Sequence, residues 1–536
     1  RPSTSSASHC GNIWRTELPP SPWPLNRPGS ILLVSGAGGL SGLLYWGSIP
    51  PIDIHWLVWI SLVPCLLVAR SAPRGIVIAA SLIGGLAAAS GRVYWITETL
   101  QVFGALPFSI ALMTNALLVI YLALYPLCFF YICSRMRFNA TGFAWAAASL
   151  WVLLEWAQTW VITGFPWELL GYSLYLNPPL LQLASLTGVF GLSFLIVLVN
   201  AAIVQILLFK GDLLRLGLPP LLLLLATLSF GYYRLHKLPE EGTSTLEIGI
   251  VQGNFTQHEK WNPKRLERTI KRYVDLTRSL AASRQMDLIV FPETALPYYF
   301  RDPGFASQSR QITDLARELG TPVLVGSLEG YRGSGKPPYN RAFLIDGKGK
   351  IRDFADKVHL VPFGEYIPLP FLFQYLEGLT AESGAFAKGE AHKALSLPNS
   401  DLHFGVFICY ESIFPEITRT LAGLGSSFLI NTTNDAWFGR SAAPYQHFSM
   451  VVVRAVETGL PILRAANTGI SGLVSPRGEI LKATPLFETM AFVVSLEPRS
   501  TKTLYVQYGN VLVLLCALFL AALLMRYRLG QRRGDA

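Results

Sequence analysis

Seven long apolar runs fill the first 232 residues and an eighth lies near the C-terminus, at about 29–46, 52–69, 75–96, 106–133, 141–156, 180–209, 213–232 and 507–525. Crossing ~30 Å of hydrocarbon takes a helix of about 20 residues, and a backbone in lipid must satisfy its own hydrogen bonds. These runs therefore predict a polytopic α-helical membrane domain of eight spans. Only 15% of residues are charged, 51% are hydrophobic and the mean hydropathy is +0.39. A soluble globular chain carries about a quarter charged residues. This balance excludes a disordered chain, a coiled coil and an ordinary soluble enzyme. Tyr45, Trp46, Tyr94, Trp95, Tyr232 and Tyr233 cluster near run ends, where amphipathic rings favour the membrane interface.

The basic residues assign sides. Arg70 and Arg74 follow the second run, Arg135 and Arg137 the fourth, Lys210 and Arg215 the sixth, and Arg526, Arg528, Arg532 and Arg533 the eighth. The alternate loops, 47–51, 97–105 and 157–179, contain neither Lys nor Arg. Positive loops stay cytoplasmic, so both termini are expected inside and residues 233–506 outside. The net charge of +10 thus reads as topology, not as a nucleic-acid footprint. The expected organisation is a disordered tail over 1–28, a seven-helix membrane domain over 29–232, an external domain over 233–506, and an eighth helix with a basic tail over 507–536. No small-residue cleavage site follows Tyr45-Trp46, so the first run reads as an anchored helix. Gly36, Gly38 and Gly42 lack dinucleotide-loop spacing and read as helix-packing positions. Arg92 and Glu155 lie near run ends, where structural anchoring outweighs a functional role.

From about 244 the texture changes to short β-rich runs alternating with amphipathic helices. Strands are expected at 246–251, 288–291, 322–327, 341–346, 351–354, 403–408 and 427–431, with a strand pair around Pro476-Arg477-Gly478. Asn262 and Pro263 open a helix whose Leu266, Ile270, Val274 and Ala281 share a face. Ile312, Leu315, Ala316 and Leu319 mark another that Gly320 ends, and two more fall at about 414–422 and 445–458. Such alternation indicates an α/β layered domain. The stretch 366–399 breaks the rhythm with the apolar run Leu369–Leu376. It reads either as core or as a membrane-dipping arm or lid.

Of six cysteines, only Cys409 falls in the external domain, so no disulfide can form within it. By residue type alone, such a cysteine is a buried strand residue. Its position argues otherwise: a strand ends there and Tyr410-Glu411-Ser412 leads towards a helix. That junction exposes a nucleophile and turns backbone N–H groups towards a developing oxyanion. A thiol with a pKa of about 8.5 needs a base or a cation. Glu293 and Lys357 end two other strands, and a carboxylate can take the proton while an ammonium stabilises the oxyanion. Metal is not expected, since the eight histidines are scattered without ligand spacing. Gly347-Lys348-Gly349 is a plain turn, not a nucleotide loop.

Pro292-Glu293, the run from Lys357 to Glu365, and Ile408-Cys409-Tyr410-Glu411 resemble the Glu-Lys-Cys signature of the nitrilase superfamily. With the eight apolar runs, the chain resembles the bacterial apolipoprotein N-acyltransferases. Val251–Asn254, Lys260-Trp261, Tyr339-Asn340, Asn434–Gly439 and Asn467–Ile470 add to the likeness. The resemblance implies a nitrilase-like αββα sandwich on the membrane domain. It also implies transfer of an acyl chain from a phospholipid, typically phosphatidylethanolamine, to the N-terminal amine of a diacylated apolipoprotein. In that reading Cys409 forms the thioester, Glu293 is the base and Lys357 holds the oxyanion. Glu365, Tyr410 and Glu411 match positions needed for activity, and Trp261, Asn340 and Trp437 match pocket or loop positions. No cofactor is implied, and the family suggests a monomer in a bacterial inner membrane with its catalytic domain periplasmic. A membrane-tethered amidase of small C–N substrates would share the triad without needing an apolar arm. A transporter with an external sensing domain fits less well, because ionisable residues deep in the spans are scarce.

Overall fold

The computed structural model describes residues 29–136, 140–209, 213–237, 245–331, 333–367 and 385–534. The expected tail 1–28 and residues 368–384 of the stretch 366–399, with its apolar run Leu369–Leu376, lie outside the described residues. Within them, seven of the eight apolar runs carry a helix of at least 19 residues: α1 Gly29–Gly47, α3 Arg74–Val93, α5 Phe108–Arg135, α6 Ala140–Gln158, α7 Val189–Leu208, α8 Leu213–Lys237 and α13 Val511–Gly534. Five segments among the described residues, in α3, α5, α7, α8 and α13, are long and apolar enough to cross a membrane. Gly38 and Gly42 face Ala80 and Gly84 backbone across the α1–α3 contact, the close packing that small residues permit.

The second run departs from expectation. It folds as a 3-10 turn, His55–Ile60, followed by the short helix α2, Val63–Ser71, with Pro64 in its first turn. Asn200 of α7 closes the break: its Oδ1 accepts from the Leu62 N–H at 2.9 Å and its amide donates to the Val58 carbonyl at 3.0 Å. A polar side chain thus repairs the backbone bonds that an interrupted helix leaves open. The sixth run is likewise broken into Pro178–Leu181 and Ala184–Thr187 before α7 begins. Arg92 and Glu155 are buried and bond locally, Arg92 to the Glu168 carbonyl (3.4 Å) and Glu155 to Trp151 and the Leu170 N–H (2.8 Å each).

Residues 246–496 form two face-to-face sheets. The strands are β1 Leu246–Gln252, β2 Leu288–Val290, β3 Leu296–Tyr299, β4 Val323–Glu329, β5 Tyr339–Ile345 and β6 Ile351–Asp356. They continue as β7 Ala394–Ser396, β8 His403–Ile408, β9 Phe428–Thr433, β10 Ile462–Ala466, β11 Gly472–Val474, β12 Ile480–Ala483 and β13 Met490–Leu496. The first sheet runs β13-β1-β2-β4-β5-β6 with β3 beside β4, and the second runs β12-β11-β10-β9-β8-β7. Central pairs (β1/β2, β2/β4, β8/β9, β9/β10) are parallel, and the outer strands add antiparallel. Between the sheets, Ile248, Ile250, Val290 and Leu324 meet Val406, Ile408, Ile430 and Leu463. Strands buried on both faces read as continuous apolar runs, as β2, β8 and β9 do.

Helices α9 (Leu266–Ala281) and α10 (Ala306–Leu319) cover the first sheet through Ile270, Tyr273, Ile312 and Leu315. Helices α11 (Pro415–Gly423) and α12 (Ala443–Thr458) cover the second. The outer layer differs on this side. Val451, Val452 and Val456 of α12 share one apolar cluster with Trp167, Leu170, Leu181 and Val189 of the membrane half. Helix α12 is therefore buried on nearly every side, between a sheet and a helix bundle, and its polar residues, Gln446, His447, Arg454 and Glu457 among them, are buried with it. The sandwich and the apolar helices thus share a continuous core.

Candidate active site

Glu293, Lys357 and Cys409 follow three strands whose ends converge. Glu293 lies in the turn after β2, Lys357 directly follows β6, and Cys409 directly follows β8. The turn carrying Glu293 crosses the backbone of β4 so closely that a Cβ on Gly326 would sit 2.3 Å from the Pro292 carbonyl oxygen. Thr294 (φ +44°) and Cys409 (φ +51°) both adopt the left-handed region without being glycine. Such strain is held only where the surroundings over-determine it, and it clusters at functional sites.

The Lys357 ammonium donates to Glu365 Oε1 at 2.8 Å and to Glu293 Oε1 at 3.2 Å, and all three side chains are buried. Glu365 is fixed in turn by the Val361 N–H on its Oε2 at 2.8 Å. Asn340 donates to Glu293 Oε1 at 2.7 Å, and its own carbonyl accepts the Lys357 N–H at 2.9 Å. Expected only as a pocket or loop position, Asn340 is thus a tie between the Glu293 carboxylate and the Lys357 backbone. Lys260 joins from the first sheet's loop, donating from Nζ to the Glu293 carbonyl at 3.1 Å. Glu293 Oε2 has no hydrogen-bond partner among the described residues. It is the free, inward-facing oxygen of an otherwise clamped carboxylate.

Electrostatics set the resting charges. Burial opposes ionisation of Glu293, but Lys357, Lys260 and the Asn340 amide outweigh it and hold the carboxyl below its ordinary value. Burial likewise opposes the Lys357 charge, and Glu293 and Glu365 overcome it, so the ammonium persists. Burial pushes Lys260 down to about 8. The Cys409 thiol is pushed up to about 12 by burial and then by Glu293, with Lys357 opposing. At neutral pH the site therefore holds a thiol, a carboxylate and an ammonium. The thiol must lose its proton during attack, not before it.

Glu411 braces the nucleophile from behind. Its Oε2 accepts from the Ile408 N–H at 2.7 Å, and its Oε1 from the Val358 and His359 N–H groups at 2.8 and 3.0 Å. One carboxylate thus ties the residue before Cys409 to the residues after Lys357. Burial raises it to about 7 against those three donors. Tyr410 donates to the Gly164 carbonyl at 3.2 Å, and its ring packs on His359, Phe414 and Phe165. Trp437 accepts on its carbonyl from Thr99 at 2.9 Å and meets the Phe103 ring. Helix α4 (Trp95–Val102) of the membrane half thus holds this loop. Trp261 packs with Tyr299, Leu360, Tyr366 and Phe386 in a small apolar cluster. Of the nine residues singled out from the sequence, hydrogen bonds link Glu293, Lys357, Asn340 and Glu365, and Tyr410 and Glu411 adjoin Cys409, whereas Trp261 and Trp437 sit in separate aromatic contacts. Sequence reasoning did not assign Lys260, Asp435, His447 or Arg464 to the site. Lys260 and Asp435 stand inside the Lys260-Trp261 and Asn434–Gly439 runs without a role of their own, whereas His447 and Arg464 lie on separate elements.

A buried thiol at a strained strand end, with a clamped carboxylate and a held ammonium at the ends of two other strands, is the set of groups that a carbon–nitrogen hydrolase type of enzyme requires. Residues 247–502 match the carbon-nitrogen hydrolase family, and residues 41–202 match the apolipoprotein N-acyltransferase N-terminal domain. The chain is 40% identical over 501 residues to the apolipoprotein N-acyltransferase of Geobacter metallireducens, covering 91% of this chain and 94% of that one. It is 32% identical to the Haemophilus influenzae apolipoprotein N-acyltransferase, covering 90% and 92%. Among solved structures, an amidase from Nesterenkonia is 20% identical with a TM-score of 0.38, covering 51% of this chain and 95% of that one. The chain belongs to the apolipoprotein N-acyltransferase family.

Proposed function

We propose that this N-acyltransferase takes an acyl chain from a phospholipid, phosphatidylethanolamine by resemblance, and delivers it to the N-terminal amine of a diacylated apolipoprotein through a thioester on Cys409. The observation that carries the reading is the buried Glu365–Lys357–Glu293 chain beside a strained cysteine, in a domain whose core runs into apolar helices. Cys409 Sγ attacks the ester carbonyl while Glu293 Oε2 takes its proton, and Lys357 stabilises the oxyanion. Collapse breaks the ester C–O bond, and Glu293 returns the proton to the leaving lysophospholipid oxygen. The lipoprotein amine then attacks the thioester, Glu293 accepts its proton, and the thiolate leaves and is reprotonated. Each half-reaction restores Glu293 as carboxylate, which suits ping-pong transfer without a cofactor. Both substrates are lipid-anchored, so a site seated on membrane helices raises their effective concentration.

The same reading extends to topology. Eight membrane segments, cytoplasmic termini, a periplasmic domain over 233–506 and a monomer in a bacterial inner membrane fit the one-sided arginines. They also fit a site drawn from one chain. Accessibility labelling of single cysteines introduced within 97–105 and within 238–244 tests this: labelling by a membrane-impermeant maleimide from the periplasm is expected, and labelling only from the cytoplasm would reverse the orientation. The reaction itself is tested by supplying phospholipid labelled in its acyl chain together with a diacylated lipopeptide. Labelled triacylated peptide and parallel double-reciprocal plots are expected. Free fatty acid with unmodified peptide would instead indicate a hydrolase.

A further inference from the structure

Behind Cys409 lies a second buried charge network that the chemistry above does not use. His447 of α12 places Nε2 3.1 Å from the Cys409 carbonyl oxygen and Nδ1 3.0 Å from Asp435 Oδ1. Arg464 of β10 places Nη2 2.7 Å from Asp435 Oδ2 and 2.9 Å from His447 Nδ1. Its Nε donates to the Ile470 carbonyl at 3.1 Å and its Nη1 to Asn431. Thr433 donates to Asp435 Oδ1 at 3.0 Å. Asp435, His447 and Arg464 are all fully or almost fully buried. Gly469 packs against the carboxylate: a Cβ there would meet Asp435 Oδ2 at 2.1 Å. The His447 ring is clamped between Trp167 of the membrane half (5.7 Å, stacked) and Phe438 (5.9 Å, edge-on).

The proton on His447 is placed by its neighbours. A carbonyl oxygen only accepts, so Nε2 carries hydrogen and donates to Cys409. Burial and the adjacent Arg464 hold the ring towards its neutral form. In the neutral ring Nδ1 then accepts from the Arg464 guanidinium, whereas a bond to Asp435 Oδ1 needs the protonated ring; in both forms Nε2 keeps its hydrogen. Asp435 neutralises Arg464, Arg464 fixes the tautomer, and the tautomer fixes the bond to the Cys409 carbonyl.

That bond bears on the reaction through peptide planarity. In a trans peptide the carbonyl and the following N–H point in opposite directions. Holding the Cys409 carbonyl on the His447 side therefore turns the Tyr410 N–H to the opposite face. It also restrains the peptide that follows Cys409, whose φ of +51° is a left-handed conformation that an unrestrained non-glycine backbone disfavours. We propose that His447, with Nε2 protonated, is a positioning residue for acyl transfer: by gripping the Cys409 carbonyl it holds the nucleophile in its left-handed conformation and aims the Tyr410 N–H as a second donor, beside Lys357, to the acyl oxyanion. This inference rests on Cys409 being the nucleophile.

The test is the rate of acyl-enzyme formation in full-length protein with phosphatidylethanolamine, followed by intact mass. His447→Gln places an N–H₂ near the position of Nε2, His447→Asn places one near Nδ1, and His447→Phe keeps the bulk without a donor. We expect His447→Phe and His447→Asn to acylate about 10- to 100-fold more slowly with the KM for phospholipid unchanged. His447→Gln should recover most of that loss. A role in packing alone would lower the melting temperature of all three and leave Gln no faster than Asn. Equal rates in Gln and Asn, or a wild-type rate in Phe, would overturn the inference. If Phe yields no folded protein, the Gln-to-Asn ratio decides by the same criterion. Wild-type protein that forms no adduct on Cys409 would remove the nucleophile reading itself and this inference with it.

Discussion

Two buried charge networks flank Cys409, and they are built to opposite specifications. In front, Glu293, Lys357 and Glu365 leave one carboxylate oxygen, Glu293 Oε2, without a partner. Behind, Asp435, His447 and Arg464 leave no side-chain polar atom without a partner. Burying an unsatisfied acceptor costs about 1–3 kcal/mol. In the proposed reaction, the proton taken from Cys409 would supply the bond that this oxygen lacks. The rear network has no such vacancy, and a fully satisfied network rigidifies what it holds. The difference separates a group that reacts from groups that fix geometry, although both are strings of buried acids and bases.

Breaking the front network should have the largest consequence. Glu293→Gln keeps the shape and loses the base, so thioester formation should fall about 100- to 10,000-fold while phospholipid still binds. Lys357→Met should cost about 100- to 1000-fold as one oxyanion donor is lost. Stopped acylation assays with a lipid-binding control check both. If either variant acylates at the wild-type rate, that residue is only a buried charge.

Breaking the rear network should register first in stability. Asp435→Asn leaves the Arg464 guanidinium buried without its counter-charge, a loss of about 3–5 kcal/mol. Thermal unfolding in detergent should show a marked fall in melting temperature. An unchanged melting temperature would mean that Arg464 finds another partner and that the network is not held as described.

A subtler change sharpens the contrast through pH. Glu293 works ionised and its carboxyl sits below its ordinary value, with Lys260 among the causes. Activity should therefore persist as pH falls to the ordinary carboxylate range and be lost below it, where the carboxylate protonates. Lys260→Met removes a cation, raises the Glu293 pKa and should move the acid limb of the acylation profile to higher pH. Lys260→Arg should leave it in place, and a shift in the opposite direction would contradict the assignment. The smallest effect is expected from Thr99→Val, which removes one hydrogen bond to the Trp437 carbonyl. A loss of about 1 kcal/mol or less in docking that loop should change acyl transfer only a few-fold.

The legibility of the two networks in the sequence differs for the same physical reason. Glu293 and Cys409 stand where short apolar strands stop, and Lys357 lies just past the end of β6, so strand-end reasoning finds them. Asp435, His447 and Arg464 look like ordinary polar residues on a turn, a helix and a strand, and only the tertiary fold brings them together. The helix expected at about 445–458 gave His447 no role, and only the fold stacks Trp167 of the other half on its ring. Strand β10 carries Arg464 in its middle, which weakens its apolar signal, and it was not expected as a strand. Strand β13 was missed because it pairs with β1 across the whole domain, Ile250 opposite Phe492. In the membrane half, hydropathy located the apolar runs but not the break in the second. Hydropathy averages over a window, whereas the break depends on Pro64 and on Asn200, which is distant in sequence.

The central claim is that Cys409 carries the acyl chain between two lipid substrates. Its most direct test is the intact mass of detergent-purified protein after incubation with phosphatidylethanolamine and no acceptor. The account predicts one acyl-sized adduct that hydroxylamine removes, that Cys409→Ala lacks, and that a diacylated lipopeptide discharges. Folded protein with lipid present and no adduct, or an adduct that survives Cys409→Ala, would contradict it.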